Sequence, residues 1–363
     1  MYSWVDLSNT KVQIFNIGAL NLLKVDNNLD NLHHHNVLLF IPGNPGACSF
    51  YEEFLTQLSV RKPDFTFVVI SHSNHDYHHW QYDSASYNLS EQIEHKLEFI
   101  SAYIPKECKL FLAGHSIGAY MVLKKLAILV GKLGYDVRHC FLLFPVFERM
   151  QQTPNGLRLS KIFDYKLHYL LIFATYVLSF LPSWLRNRLI RWRLGDKILV
   201  DNGRQKSTPH SVLRAAGNLC DYRIAKNVLH LARDELKYVQ TVDLDIFRQF
   251  ASKITLFYGR KDGWCPPNFH QEAVRLKLCD KIVLYDEDIE HAFVIHDSLT
   301  VARLIDLELD IFFQNQKLHG NIYNLGETEE YEACILRRPI SLLPRNNKIC
   351  IPPPVLADAH RNF

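Results

Sequence analysis

The sequence predicts a doubly wound α/β domain with a mostly parallel sheet, interrupted by a long helical insertion. Three observations carry this. Short apolar runs alternate with helical patterns in both halves of the chain. The alternation stops between Phe147 and about Phe250. A Gly-x-Ser-x-Gly turn joins one apolar run directly to one helical pattern.

The apolar runs cover residues 37–41, 65–70, 110–113, 140–144, 254–258 and 281–285. Runs this short, bounded by Gly, Pro or Ser, suit strands buried on both faces of a parallel sheet. Helices fall between them. Leu89, Ile93, Leu97, Ile100 and Ile104 recur at steps of three and four, which makes one apolar stripe, and Pro105 stops it. A second helix is expected over 117–130. A third is expected over 298–313, with Leu299, Ala302, Ile305 and Leu309 on one side. Strands alternating with helices imply the doubly wound sheet.

The expected organisation is a core in two parts, 1–147 and 251–314, around a helical, aromatic and basic lid at 148–250. Residues 315–363 read as an irregular extension, with three prolines at 352–354 arguing against a packed element. The net charge of +3 on 363 residues is too small to indicate a nucleic-acid partner. The first ten residues lack a basic stretch followed by an apolar run, so no secretory signal is visible. Eight cysteines are scattered without a Cys-x-x-Cys pair, which reads as reduced thiols in a cytosol-facing protein.

The chemistry centres on Gly114-His115-Ser116-Ile117-Gly118. A serine on a sharp strand-to-helix turn needs small residues on both sides, because the backbone is crowded there. The flanks are right: the run 110–113 precedes the motif and a helix follows it. This is the nucleophile turn of the α/β-hydrolase fold, in which an acid and then a histidine follow along the chain. Asp262 stands just after the run 254–258, and His291 after the run 281–285. His296 competes but lies near the last helix, and Asp286 and Asp288 follow the wrong strand. An Asp-Gly turn is the plain alternative for Asp262. The oxyanion hole would use the backbone amides of Ile117 and of Asn44, the latter in the glycine-bearing loop 42–46.

Histidines invite a metal reading. His33, His34 and His35 read as a solvated loop. The stretch 71–80, with His72, His75, His78 and His79, lacks a second cluster to complete a metal geometry. His75 and His115 are expected at the wall of a substrate pocket. Neither a metal nor an organic cofactor is expected.

Residues 167–185 form an uncharged run of 19, interrupted by Pro182 and followed by four arginines in eight residues, with Trp184 and Trp192 nearby. The run is marginal for a spanning helix. An interfacial or hairpin insertion of about 160–195 is favoured, with a buried lid helix as the main alternative.

Together, IPGNPG at 41–46, GHSIGAY at 114–120, YG-x-x-D-x-WCP at 258–266 and I-x-HAF at 289–293, with the apolar insertion, resemble the lipid droplet-associated hydrolases. The resemblance spans most of 36–313. It implies an α/β-hydrolase fold and residence on lipid droplets and endoplasmic reticulum. It also implies serine esterase activity on lipids, with sterol esters as a proposed substrate and little activity on triglyceride. Ser116, Asp262 and His291 match the family's triad positions. The residues after about 314 have no counterpart. Two readings follow: a hydrolase of lipid esters, or a droplet-coating or clustering protein that keeps the fold and turns over little.

Overall fold

Residues 37–41 are apolar without a break because the strand they form is covered on both faces. The structure is a computed structural model describing residues 1–18, 20, 22, 32, 35–76, 85–194, 200–201, 204–205, 209–285 and 289–325. The first half contains β1 (Tyr2–Leu7), β2 (Thr10–Gly18), β3 (Asn36–Ile41), α1 (Glu52–Arg61), β4 (Phe65–Ile70), α2 (Leu89–Tyr103), β5 (Lys109–His115), α3 (Ile117–Ala127) and β6 (Val137–Leu143). Next come α4 (Pro154–Asp164), α5 (Leu167–Ser179), α6 (Ser183–Leu194), the two-residue strands β7 (Val200–Asp201) and β8 (Arg204–Gln205), α7 (His210–Asn218), α8 (Tyr222–Tyr238) and α9 (Leu244–Phe250). The chain returns to the sheet with β9 (Ile254–Gly259), α10 (Pro267–Leu276), β10 (Lys281–Tyr285) and α11 (Ser298–Leu325).

Eight strands form one sheet in the order β1-β2-β4-β3-β5-β6-β9-β10. The six from β4 to β10 are parallel, and β2 pairs antiparallel with both β1 and β4. Every residue of β3, β4 and β9 is buried, as continuous apolar strands require. β1 and β2, which the apolar runs do not reveal, carry polar residues between Val5, Leu7, Val12 and Ile14 because the edge of the sheet is partly solvated. β6 ends one residue before the expected strand does, since Phe144 turns to a positive φ of 46°.

The topology sets where a site can form. The chain leaves β3 toward β4 on one side, then crosses back to β5 on the other. Right-handed crossovers therefore put α1 and α2 on opposite faces. β3 and β5 stay paired through Ile41 and Gly114, and the chain segments beyond them part at this reversal, the usual ligand position in open α/β sheets. The loop 42–46 leaves β3 there, and Ser116 leaves β5 beside it.

Two helices end differently from expectation. α3 stops at Ala127 and continues as a π turn over Ile128–Lys132. α11 runs past residue 313 to Leu325, into the stretch expected to be irregular. Phe312 and Phe313 lie against Phe111, and Phe313 also against Phe65. A helix anchored this way propagates cheaply through polar residues, because the costly step is nucleation. Residues 326–363, with the triple proline, Cys334 and Cys350, lie outside the described residues. The other six cysteines are free thiols.

The insertion between β6 and β9 has two different parts. α8 is amphipathic, with Ile224, Asn227, Leu231, Ala232, Glu235 and Leu236 buried. It is stitched to the core: Asn227 donates to the carbonyl of Asn74 at 2.9 Å and accepts from Ser86 at 2.7 Å, and Asp234 accepts the first amide of α2 at 3.0 Å. α5 has no buried residue at all. Along α5 and α6, Tyr169, Leu170, Phe173, Phe180, Trp184 and Trp192 are each 60–80% exposed. Among the described residues, no helix is long and apolar enough to cross a membrane.

Candidate active site

Ser116 sits between β5 and α3 with φ 55° and ψ −122°, a strained conformation for a residue with a Cβ. Its neighbours hold it there. The Ser116 amide donates to the carbonyl of Leu143, and its own carbonyl accepts from Ala119 and Val146. The two motif glycines are required by contact. A Cβ on Gly114 would lie 2.6 Å from the carbonyl oxygen of Gly118, and one on Gly118 would lie 2.2 Å from that of Ile41. The end of β3 and the start of α3 therefore touch backbone to backbone.

His291 occupies the connection between β10 and α11. Its Nε2 is 2.9 Å from Ser116 Oγ, and its Nδ1 is 2.6 Å from Asp262 Oδ2. Asp262 follows β9. Its Oδ1 accepts from the amides of Trp264 at 2.7 Å and Cys265 at 3.1 Å, and the Cys265 thiol donates to Oδ2 at 3.0 Å. Burial works to raise the Asp262 pKa, but the facing His291 and these donors outweigh it and hold the carboxyl below its usual value. The anion is thus stable where it can orient an imidazole and balance its charge. Residues 116, 262 and 291 come from three distant parts of the chain and form one hydrogen-bonded row. His296 lies in the turn before α11. Asp286 and Asp288 lie outside the described residues.

The loop 42–46 passes beside Ser116, where a Cβ on Gly43 would lie 2.9 Å from that of Ser116. Its Asn44–Pro45 peptide is cis. The Asn44 side chain points to the insertion, donating at 3.0 Å to the Val228 carbonyl and at 3.0 Å to Glu235 Oε1. Burial pushes the pKa of Glu235 up to about 8 despite that hydrogen bond, so near neutral pH it is chiefly a neutral acid. Sequence reasoning did not mark Glu235: in a helix pattern it reads as an ordinary surface glutamate. Ile117 opens α3, where first-turn amides have no acceptor within the helix. Ile117 directly follows Ser116, and Asn44 directly follows Gly43, whose Cα side faces Ser116.

His75 and His115, expected at a pocket wall, are both buried. His75 Nδ1 meets the Pro45 carbonyl at 2.6 Å, and burial lowers its pKa to about 4, so it supports the loop 42–46 from behind as a neutral donor. His115 bridges Tyr51 Oη and the carbonyl of His291. Of the other histidines, His33, His34, His78 and His79 lie outside the described residues. Among the described residues, one group has metal-ligand proximity: Asp262, Cys265 and His291, with donor atoms within 4.8 Å of one another. They are the carboxylate and imidazole of the row, plus a thiol whose pKa burial and Asp262 raise well above the usual value. A protonated thiol donating to a carboxylate is a hydrogen-bond arrangement, not a ligand set.

A mostly parallel sheet with Ser116 on a strand-to-helix turn at its switch point, and Asp262 and His291 following later strands, has the architecture of an α/β-hydrolase. Solved structures agree on the fold. A bacterial membrane phospholipase A matches with a TM-score of 0.57 at 14% identity, over 86% of each chain. A carboxylesterase from Nitrososphaera gargenis matches with a TM-score of 0.56 at 13% identity, over 86% of this chain and all of the other. The particular family is also shown. The model of the lipid-droplet associated hydrolases matches residues 34–294. Proteins of that name from Drosophila melanogaster and Homo sapiens are 31% and 30% identical, each over 74% of this chain and over 87% and 83% of their own. The chain belongs to the lipid droplet-associated hydrolase family.

Proposed function

We propose that the protein is a serine esterase acting on lipid esters, sterol esters among them, at the surface of lipid droplets and of the endoplasmic reticulum. The observation that carries this reading is the row Ser116–His291–Asp262 at the switch point of the sheet. Ser116 Oγ attacks the ester carbonyl carbon while His291 Nε2 takes its proton. The carbonyl oxygen becomes an oxyanion, held by the amides of Asn44 and Ile117. The intermediate collapses, and the alcohol leaves with the proton from His291. Water then attacks the acyl-serine, His291 takes a proton from it, and the acid departs as Ser116 regains its hydrogen. Asp262 keeps the imidazole in the tautomer with the proton on Nδ1 and offsets its charge when it becomes a cation.

The exposed apolar surface of α5 and α6 supports action at an interface. Six large side chains gain on the order of 1–2 kcal/mol each on leaving water. Arg186, Arg188, Arg191 and Arg193 follow the apolar run in sequence and would be drawn to phosphates at such a surface. A flat or hairpin seating fits a droplet, whose oil core offers no second aqueous face.

A fluorophosphonate probe tests the chemistry. Wild type is expected to be labelled and Ser116→Ala not, with both folded. Asp262→Asn is expected to slow labelling by up to about 10⁴-fold, the loss seen when such an acid is neutralised. A folded wild type that resists the probe while coating droplets would replace this reading with the coating or clustering one.

A further inference from the structure

We infer that His115 is a positioning residue that ties the loop of the catalytic histidine to the nucleophile turn and to the oxyanion loop. The inference rests on the serine-esterase reading above.

His115 is the last residue of β5, buried, and directly precedes Ser116. Its two ring nitrogens have partners of different kinds. Nε2 lies 2.9 Å from the backbone carbonyl oxygen of His291. A carbonyl can only accept, so Nε2 carries the hydrogen. Nδ1 lies 2.7 Å from Tyr51 Oη and must therefore accept from the phenol. The same phenol oxygen accepts the Gly43 amide hydrogen at 2.9 Å. Every hydrogen in the row is assigned: Gly43 N–H to Tyr51 O–H, Tyr51 to His115, His115 to the carbonyl of His291. The row has one direction and no spare proton. A second proton on His115 would face the Tyr51 hydroxyl, and burial, then the neighbouring His291, push the His115 pKa down to about 3.

The row matters because of what it joins. Gly43 belongs to the loop carrying Asn44, His115 to the nucleophile turn, and His291 to the connection between β10 and α11. That connection spans residues 286–297 with no strand or helix among its described residues. Phe293 anchors it by packing, with its ring 5.1 Å from that of His115 and 5.3 Å from that of Phe54. The hydrogen bond to the His291 carbonyl fixes the backbone from which the imbidazole ring of His291 reaches Ser116. Misplacing a reacting group by about 1 Å can cost on the order of 100-fold.

The test uses the full chain and the rate constants of fluorophosphonate labelling, separated into the maximal rate and the half-saturating probe concentration. His115→Phe keeps a ring of similar size and loses both hydrogen bonds. Its maximal rate is expected to fall about 10- to 100-fold with half-saturation nearly unchanged, while the stranded Tyr51 hydroxyl and His291 carbonyl lower the melting temperature of a chain that still folds. His115→Gln places an amide N–H near the position of Nε2 and a carbonyl on the same group, and is expected to recover most of the loss. Tyr51→Phe, which strands the Gly43 amide, is expected to lie between them. His115→Phe at the wild-type rate, or His115→Gln as slow as a folded His115→Phe, would overturn the inference. If His115→Phe does not fold, Tyr51→Phe decides: an unchanged rate overturns the row. Nitrogen NMR of histidine-labelled protein is independent of activity. It is expected to show one ring fixed as the Nε2–H tautomer from pH 5 to 8, a signal that His115→Gln removes. A His115 that titrates in that range overturns the inference even if wild type resists the probe, an outcome that would by itself count only against the esterase reading.

Discussion

α5 and α8 belong to the same insertion and meet at Tyr176 and Tyr222, whose ring centroids are 5.4 Å apart. They solve the problem of burial in opposite ways. α8 carries charge on one side and its buried residues on the other, so the protein itself covers its apolar face. α5 is uncharged from end to end and none of its residues is fully buried, with only His168, Ile172, Thr175, Leu178 and Ser179 partly covered. A helix apolar on all sides belongs in a core or in lipid. Here α8 is the wall of the domain, and under the proposed function α5 is the part that leaves water when the protein meets a surface.

That contrast can be broken experimentally. The largest effect should come from Leu170→Asp combined with Phe173→Asp. Flotation with triglyceride emulsions coated in phospholipid should fall on the order of a thousandfold, since two exposed apolar side chains are replaced by charges. Melting in buffer should hardly move. Unchanged flotation would mean that another surface makes the contact.

Next is stability. Leu231→Ala in α8 should cost about 2–5 kcal/mol in urea unfolding, whereas Leu170→Ala in α5 should stay within about 0.5 kcal/mol. Similar losses at the two positions would erase the distinction.

Glu235 sharpens it further. In the unfolded chain its proton leaves near pH 4.5, but in the folded chain only near 8. Between those values the unfolded state gains from ionisation while the folded state does not, so wild type loses stability as pH rises. Glu235→Gln escapes that loss. Its advantage over wild type should widen by up to about 1.4 kcal/mol per pH unit across that window and then level off. A constant gap would mean that Glu235 ionises normally and that α8 is looser than described.

The smallest effect belongs to the arginines. Arg191→Gln with Arg193→Gln should weaken binding to anionic vesicles by about 1 kcal/mol per charge, with little change on neutral ones and less difference in high salt. Equal loss on both lipids would point to packing, not charge.

The parallel strands were legible because burial on both faces writes continuous apolar runs. Gly114, Ser116 and Gly118 were legible because a crowded turn constrains residue type at fixed spacing. Asp262 and His291 were found by order along the chain, and the structure brings both to Ser116. β1 and β2 were missed since their faces differ and the pattern is diluted by polar residues. The continuation of α11 was missed because helix propagation past Phe313 leaves no apolar signature. Glu235, Tyr51 and the true surroundings of His75 and His115 could not be read at all. Their states depend on which distant carbonyl or amide the fold delivers to them, and no local spacing encodes that.

The hydrogen bond between Ser116 and His291 joins residues 175 positions apart in the chain. On a ribosome adding about 5–20 residues per second, that interval lasts roughly 10–35 s. The apolar helix α5 and the arginines of α6 are made within it, before Asp262 and His291 exist. A nascent chain therefore carries its exposed apolar helices before it carries the imidazole that faces Ser116. Under the proposed function, the enzyme is inert until His291 has been made, by which time α5 and α6 have already been synthesised.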